Sequence, residues 1–326
     1  ELNEFCVLLN KALNILLKSE RLIGGIGILE ITNERKEEPD ILLRKLLIAT
    51  ERALISEGVE IGVCYYDEAM AQYIEREETI TKQLRQIAYD NKENGLLIKY
   101  QPILDLKTDK IVGFEALARL DSPHYGMISP LEFIPILEKT RDIIPVGEKI
   151  IDKALSFYKK MANAGYADVS ISINISIIQL LSGNFTEVLI DKIRAMKIGY
   201  KNITLELTES IFSKKYDEIN RIIDGLRNYG IQIAIDDFGT GYSSLAKQRE
   251  LSVDCLKIDR YFIEKLSTIE LSKTITSDIV SIAHKLGNYA VAEGVETEEQ
   301  KAYLIACECD MVQGYLVSKQ IGRAHV

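Results

Sequence analysis

Ile231-Gln232-Ile233-Ala234-Ile235-Asp236-Asp237 is an apolar, β-branched run that ends on two adjacent carboxylates. Three other runs finish in the same manner, on Glu115-Ala116-Leu117, on Asn174 and on Glu206. A strand of a parallel barrel delivers its terminal side chains to an open mouth, so polar groups at the ends of separate strands converge there. Carboxylates brought together repel one another unless a cation sits among them. Oxygen-only donors of this kind suit one or two hard divalent metals.

Outward from that run, strand patterns recur at 96–101, 111–117, 169–174, 203–207, 231–236, 254–258, 289–292 and 310–313. Amphipathic helical spacing fills the intervals, as at 146–164, 184–197, 217–229, 272–286 and 297–306. Eight strands with helical crossovers predict an α/β fold, a (β/α)₈ TIM-like barrel over 94–319. The first two strands are separated only by Asp105–Lys110, too short for a crossover helix, so they are expected to be antiparallel. Ahead of the barrel, Phe5–Leu9, Gly24–Ile31 and Val59–Tyr66 read as strands, with a helix capped by Asp40 between the last two. Residues 1–75 are thus a partial α/β unit, and the charged, helix-prone stretch 76–93 is a linker ending in a turn at Asn91–Gly95. The chain opens on Glu1 without a Met, and both ends look cut. The last residues carry no structural pattern and fit an adapter read-through, so 320–326 is expected to be a non-native tail.

Composition sets bounds. The chain has 326 residues, 47% hydrophobic and 27% charged, in the range of globular proteins. A formal net charge of −9 and the lack of a basic stripe argue against a nucleic-acid polymer as partner. No apolar run reaches the ~18 residues of a membrane span, and a cytoplasmic location is expected. Five scattered cysteines (Cys6, Cys64, Cys255, Cys307 and Cys309) read as reduced thiols rather than a disulfide or zinc framework.

Taken strand by strand, the mouth would receive Gln101, Glu115, Asn174, Glu206 with Glu209, Asp236 with Asp237, Lys257 with Asp259, Glu293 and Gln313. One acidic residue after a strand is ordinarily a helix cap or turn former. So many in register at one mouth point to a metal-assisted site instead. Lys257 has an ordinary alternative, an ion pair to Asp236 or Asp259, and Arg119 has another, a surface pair. The histidines contribute nothing to this site, since His124 falls in a loop, His284 in a helix and His325 in the tail.

Glu115-Ala116-Leu117-Ala118-Arg119 resembles the signature of the EAL-domain cyclic-di-GMP phosphodiesterases. Further segments follow in that family's order: Ile173-Asn174-Ile175-Ser176, Glu206-Leu207-Thr208-Glu209-Ser210, Asp236-Asp237-Phe238-Gly239-Thr240-Gly241-Tyr242-Ser243-Ser244, Lys257-Ile258-Asp259, Ala292-Glu293-Gly294-Val295-Glu296 and Gln313-Gly314-Tyr315. Leu120 departs from the pattern, standing where many members carry Trp. The resemblance implies hydrolysis of cyclic di-GMP to linear pGpG with two Mg²⁺ or Mn²⁺ ions, Ca²⁺ being inhibitory. It implies Glu115, Asn174, Glu206 and Asp236 around one ion, and Asp236, Asp237 and Glu293 around the other. Lys257 would hold or deprotonate the attacking water, with a pKa lowered by desolvation. Glu209 would brace the Asp237–Ser244 loop, and Gln101, Arg119, Asp259 and Gln313 would meet the substrate. A homodimer through the barrel is also implied. The front fragment resembles the C-terminal part of a degenerate GGDEF domain, in which Leu2 replaces a glycine needed for nucleotide approach. Two other readings remain, a catalytically silent cyclic-di-GMP receptor and an unrelated metal-dependent barrel enzyme.

Overall fold

The computed structural model describes residues 5, 8–9, 11–12, 24–31, 38–55, 61–90, 95–209, 216–239, 252–266 and 275–322. Ser210, the loop Thr240–Ser244, most of the Asn91–Gly95 turn and Arg323–Val326 lie outside them. The chain forms two units, Glu1–Lys82 and Gln83–Val326, and passes from one to the other inside a helix.

In the first unit, β1 (Gly24–Ile28) and β2 (Ile61–Tyr65) pair in parallel, and α1 (Pro39–Ile55) connects them. The helix lies close against β1, because a Cβ at Gly27 would meet Thr50 Oγ1 at 2.3 Å and the Thr50 backbone nitrogen at 2.6 Å. Asp40 is the second residue of α1 rather than its cap, and Pro39 opens the helix, where a missing N–H costs nothing. Phe5, Leu8 and Leu9 are helical, not a strand. Phe5, Leu8, Leu9 and Ala12 have i, i+3, i+4, i+7 spacing, and that period prevails over a short apolar run.

Helix α2 (Glu68–Tyr89) carries the chain across the division, and its last turns bury Leu84, Ile87 and Ala88. Gln83 Nε2 donates to the Asp121 carbonyl at 2.9 Å, and the Tyr89 hydroxyl donates to Asp142 Oδ1 at 2.8 Å.

The second unit is a closed barrel of eight strands: β3 (Leu96–Asp105), β4 (Lys110–Ser122), β6 (Ser170–Asn174), β7 (Ile203–Thr208), β8 (Gln232–Phe238), β9 (Cys255–Ile258), β10 (Tyr289–Ala292) and β11 (Met311–Val312). Pairing runs β3-β11-β10-β9-β8-β7-β6-β4, and β3–β4 closes the ring. As expected, β3 and β4 are antiparallel, and β3 is antiparallel to β11 as well. Asp105 Oδ1 tightens their turn by accepting from the Thr108 N–H and hydroxyl, each at 2.7 Å. Strand alternation then sorts the residues. Ile171, Ile173, Leu205, Leu207, Ile233, Ile235, Leu256 and Ile258 form a buried layer, while the alternate positions carry Ser172, Glu206, Ala234 and Lys257.

Helices α4 (Ile143–Asn163), α6 (Phe185–Ala195), α7 (Tyr216–Asn228), α9 (Thr276–Lys285) and α10 (Glu298–Ala306) fall where the spacing places them. Four further strands or α-helices of this unit were not foreseen: β5 (Gly126–Ile128), α3 (Pro130–Thr140), α5 (Ile177–Leu180) and α8 (Arg260–Lys265). Two prolines mark the α3 segment as a loop, yet Ser129 caps it and Pro130 fits its first turn. Gln320 and Ile321, assigned to the tail, are engaged: Ile321 and Tyr100 exchange backbone hydrogen bonds at 2.8 and 2.9 Å. Among the described residues no helix is long and apolar enough to cross a membrane.

Phe133 on α3 is fully buried. Phe133→Ala is expected to lower the free energy of unfolding by about 3–5 kcal/mol, read as a lower denaturant midpoint at unchanged slope.

Candidate active site

Glu115, Glu206 and Asp236 lie on β4, β7 and β8, and one carboxylate oxygen of each falls within 4.8 Å of the others. Glu115 is in the middle of its strand rather than past its end, because β4 runs on to Ser122 to pair with β5. Asp236, Asp237 and Glu293 form a second group of the same tightness, and Asp236 belongs to both.

Adjacent strand residues normally point to opposite faces. A register break against β9 between Ile235 and Phe238 and a left-handed backbone at Asp237 (φ 54°) change that here. Asp tolerates this conformation better than most residues, and bulges commonly redirect side chains at active sites. Asp236 Oδ1 accepts the Asp237 N–H at 3.0 Å, and Glu209 Oε2 accepts the Gly239 N–H at 3.3 Å. Gly239 has φ 96°, which suits glycine.

Lys257 stands at the centre, with its side chain 1% exposed. Its ammonium lies 2.5 Å from Glu293, 2.8 Å from Glu206, 3.2 Å from Asp236 and 3.5 Å from Glu115. The ion pair to Asp236 is therefore present as one of four. Glu115 is also held by neutral donors, Gln313 Nε2 at 2.6 Å and Asn174 Nδ2 at 2.8 Å. Gln313 Nε2 reaches Gln101 Oε1 at 3.2 Å as well, so both glutamines are bound into the site wall. Arg119 donates to the Ala118 carbonyl and to Gln320 Oε1, each at 2.6 Å. Asp259 caps α8, accepting the Tyr261 N–H at 2.7 Å, and its charge also bears on Asp237. The Gln313–Glu115 clamp had no signal in the sequence, because it exists only once β11, β3 and β4 close the ring.

The titration of these groups follows from crowding. Burial would raise the Glu115 carboxyl, but the Lys257 ammonium and the Gln313 and Asn174 hydrogen bonds outweigh it and hold the group below its usual value. Glu206 is pushed well up by burial and by the charges of Glu115 and Asp236. Glu293 is raised by burial and by Asp236 and Glu115. Burial, then Asp236 and Asp259, lift Asp237 to about 6. Lys257 departs from expectation: desolvation lowers it, yet Asp236, Glu115, Glu206 and Glu293 together raise it well above its ordinary value.

Among the described residues, the two carboxylate groups comprise five side chains, four of them paired with the Lys257 ammonium, and with all five ionised this set carries four net negative charges, the charge of two divalent cations. The donor set fits a pair of hard ions: carboxylate oxygens in two groups sharing Asp236, with the Asn174 amide nitrogen spent on Glu115 and its carbonyl left as a donor.

Fold and nest together define a closed α/β barrel with an acidic mouth whose carboxylates could hold cations. Residues 83–320 match the family profile described as the EAL domain, and the chain belongs to that family. The bifunctional diguanylate cyclase/cyclic di-GMP phosphodiesterase MucR of Pseudomonas aeruginosa is 33% identical over 258 residues, covering 79% of this chain and 37% of MucR. A protein named cyclic di-GMP phosphodiesterase in the same organism is 30% identical over 295 residues, covering 90% of this chain and 49% of the relative. The solved structure of the PaMucR phosphodiesterase in its c-di-GMP complex superposes with a TM-score of 0.70 at 34% identity, covering 75% of this chain and 98% of that one. The chain spans less than half the length of these two curated relatives.

With Asp237 raised to about 6, the folded protein keeps a proton that the unfolded chain releases near 3.8. Stability from this group is complete below that value and is lost as pH climbs through about 6. In chelator, Asp237→Asn should match wild type in melting temperature near pH ~4 and exceed it above pH ~6.5. Equal melting temperatures across that range would contradict the crowding.

Proposed function

We propose that the barrel hydrolyses cyclic di-GMP to linear pGpG. The observation that carries this reading is the pair of carboxylate groups sharing Asp236, in a chain of the EAL family. The names of its relatives support the choice of substrate. Glu115, Asn174, Glu206 and Asp236 would hold one Mg²⁺ or Mn²⁺, and Asp236, Asp237 and Glu293 would hold a second. Such ions clamp a phosphate, lower the pKa of a water and stabilise charge on the leaving oxygen.

The chain's own groups do the rest. Water attacks phosphorus, the bond to one ribose 3′-oxygen breaks, and that oxygen receives a proton. Lys257 holds the water: its ammonium already reaches Glu206, Asp236 and Glu293 within 3.2 Å. Its high pKa in the protein alone makes it a hydrogen-bond donor first. A base role would require bound cations to take over the neutralisation it supplies. Gln313 and Asn174 fix the Glu115 carboxylate, and Glu209 anchors the backbone that follows Asp237. Arg119 exchanges Gln320 for a phosphate oxygen pair, a contact its planar fork favours. Gln101 and Asp259 complete the substrate wall. The reading includes a homodimer through the barrel and a cytoplasmic location; a solution mass twice 36.8 kDa would support the former.

Chromatography of cyclic di-GMP incubated with the protein and Mg²⁺ or Mn²⁺ tests the reaction. Linear product is expected, binding without product would indicate a receptor, and neither would defeat the substrate assignment. Glu115→Ala should cut turnover by at least about a hundredfold. Lys257→Ala should lose about 10²–10⁴ in kcat yet still bind Mn²⁺. Ca²⁺ should inhibit, because its longer and looser coordination misplaces the water; stimulation by Ca²⁺ would count against the two-ion arrangement.

A further inference from the structure

Below the carboxylate nest the barrel is hollow. Inward positions of parallel barrels are usually filled by bulky branched side chains. Here Ile103, Val112, Val291 and Met311 are bulky, but Ser170 and Ser172 on β6, Thr204 on β7, Ala234 on β8 and Cys255 on β9 are small, and a pocket of about 280 Å³ remains. Strand register sets Cys255 beside Ala234 and Tyr289, and Glu206 opposite Ala234. The outer lining residues Ser170, Gln232 and Tyr289 are half-buried, the inner ones Ser172, Thr204 and Cys255 are buried, and Glu206 and Lys257 line the same pocket.

The wall says what can enter. Gln232 Oε1 accepts from the Thr204 and Tyr289 hydroxyls, both at 3.4 Å, near the outer limit of a hydrogen bond, so water can compete for all three groups. Ile103, Val112, Val291 and Met311 supply the apolar rest of the lining, so a cavity of this size, near the ~300 Å³ of small-ligand sites, offers both polar and apolar surface. An ion would lose hydration without gaining a partner, because Glu206 and Lys257 pair with each other at 2.8 Å.

We infer that the barrel floor is a second binding pocket, for a small uncharged molecule with both a polar and an apolar part, whose occupant touches the Glu206–Lys257 pair from the side opposite the mouth and alters turnover. The coupling rests on the mouth being the hydrolytic centre; the pocket itself does not.

Methyl methanethiosulfonate is a small neutral probe for it. The Cys255 sulfur attacks the reagent's sulfenyl sulfur, a disulfide to the methylthio group forms, the bond to the sulfonyl sulfur breaks, methanesulfinate leaves and the thiol proton goes to solvent. Cys309 is an internal reference: it is as buried as Cys255, at 4% against 2%, its thiol is likewise raised, and it does not line the pocket. With the full chain and site-resolved mass spectrometry, Cys255 should react at least about tenfold faster than Cys309. Ala234→Leu should fill the pocket and slow Cys255 alone. Labelled wild type should lose about tenfold or more of its own unlabelled kcat, whereas Cys255→Ala, whatever its starting rate, should lose nothing further on the same treatment. Equal rates at the two cysteines, no slowing by Ala234→Leu, or full turnover after labelling would each overturn the inference. If the protein hydrolyses no cyclic di-GMP at all, the rate ratio still reads the pocket. The rise in melting temperature on adding Mn²⁺ then replaces turnover: it should shrink on labelling, and an unchanged rise would overturn the coupling.

Discussion

A single buried ammonium surrounded by carboxylates is the constraint on which the rest of this barrel depends. Charges taken out of water are tolerable only when matched, and Lys257 matches one of five. The surplus appears as the raised Glu206, Glu293 and Asp237 carboxyls, which resist ionising together. Neutral donors relieve part of it at Glu115, the one glutamate of the nest shifted downward. The remainder calls for cations, and the sharing of Asp236 by two carboxylate groups sets where a pair of them would lie.

The backbone supplies what a regular strand cannot. Period-two alternation would send Asp236 and Asp237 to opposite faces. The register break and the left-handed turn at Asp237 bring both to one cluster, and Glu209 secures the following residue through the Gly239 N–H. Strain of this sort is tolerated where surrounding structure over-determines it. Here a buried sheet layer on one side and a hydrogen-bonded carboxylate on the other provide that support.

Much of this was legible in the residues. The strand-and-helix alternation located the barrel strands to within a few positions, and the 105–110 spacing foretold the antiparallel pair. Apart from Gln101 and Glu115, which lie in mid-strand, the polar residues named for the mouth stand near the ends of the strands they were read from. What escaped reading depends on three-dimensional closure or on competition between signals. The α3 prolines look like loop residues until the Ser129 cap is seen, and Phe5–Leu9 satisfies both an apolar run and a helical period. Glu115 sits mid-strand because β5 extends β4, and Gln313 reaches it only across the closed ring. The Lys257 shift reversed sign because desolvation is a property of one residue, whereas four neighbouring charges belong to the assembled site. The hollow floor was invisible because small inward residues on separate strands mean nothing until they share one interior.

Anomalous scattering from Mn²⁺-soaked crystals tests the central claim most directly. Two Mn²⁺ peaks are predicted, one on each side of Asp236 and about 4 Å apart, with Glu115, Asn174 and Glu206 around one and Asp237 and Glu293 around the other. Ordered carboxylates with Lys257 still among them and no manganese in the nest would contradict it.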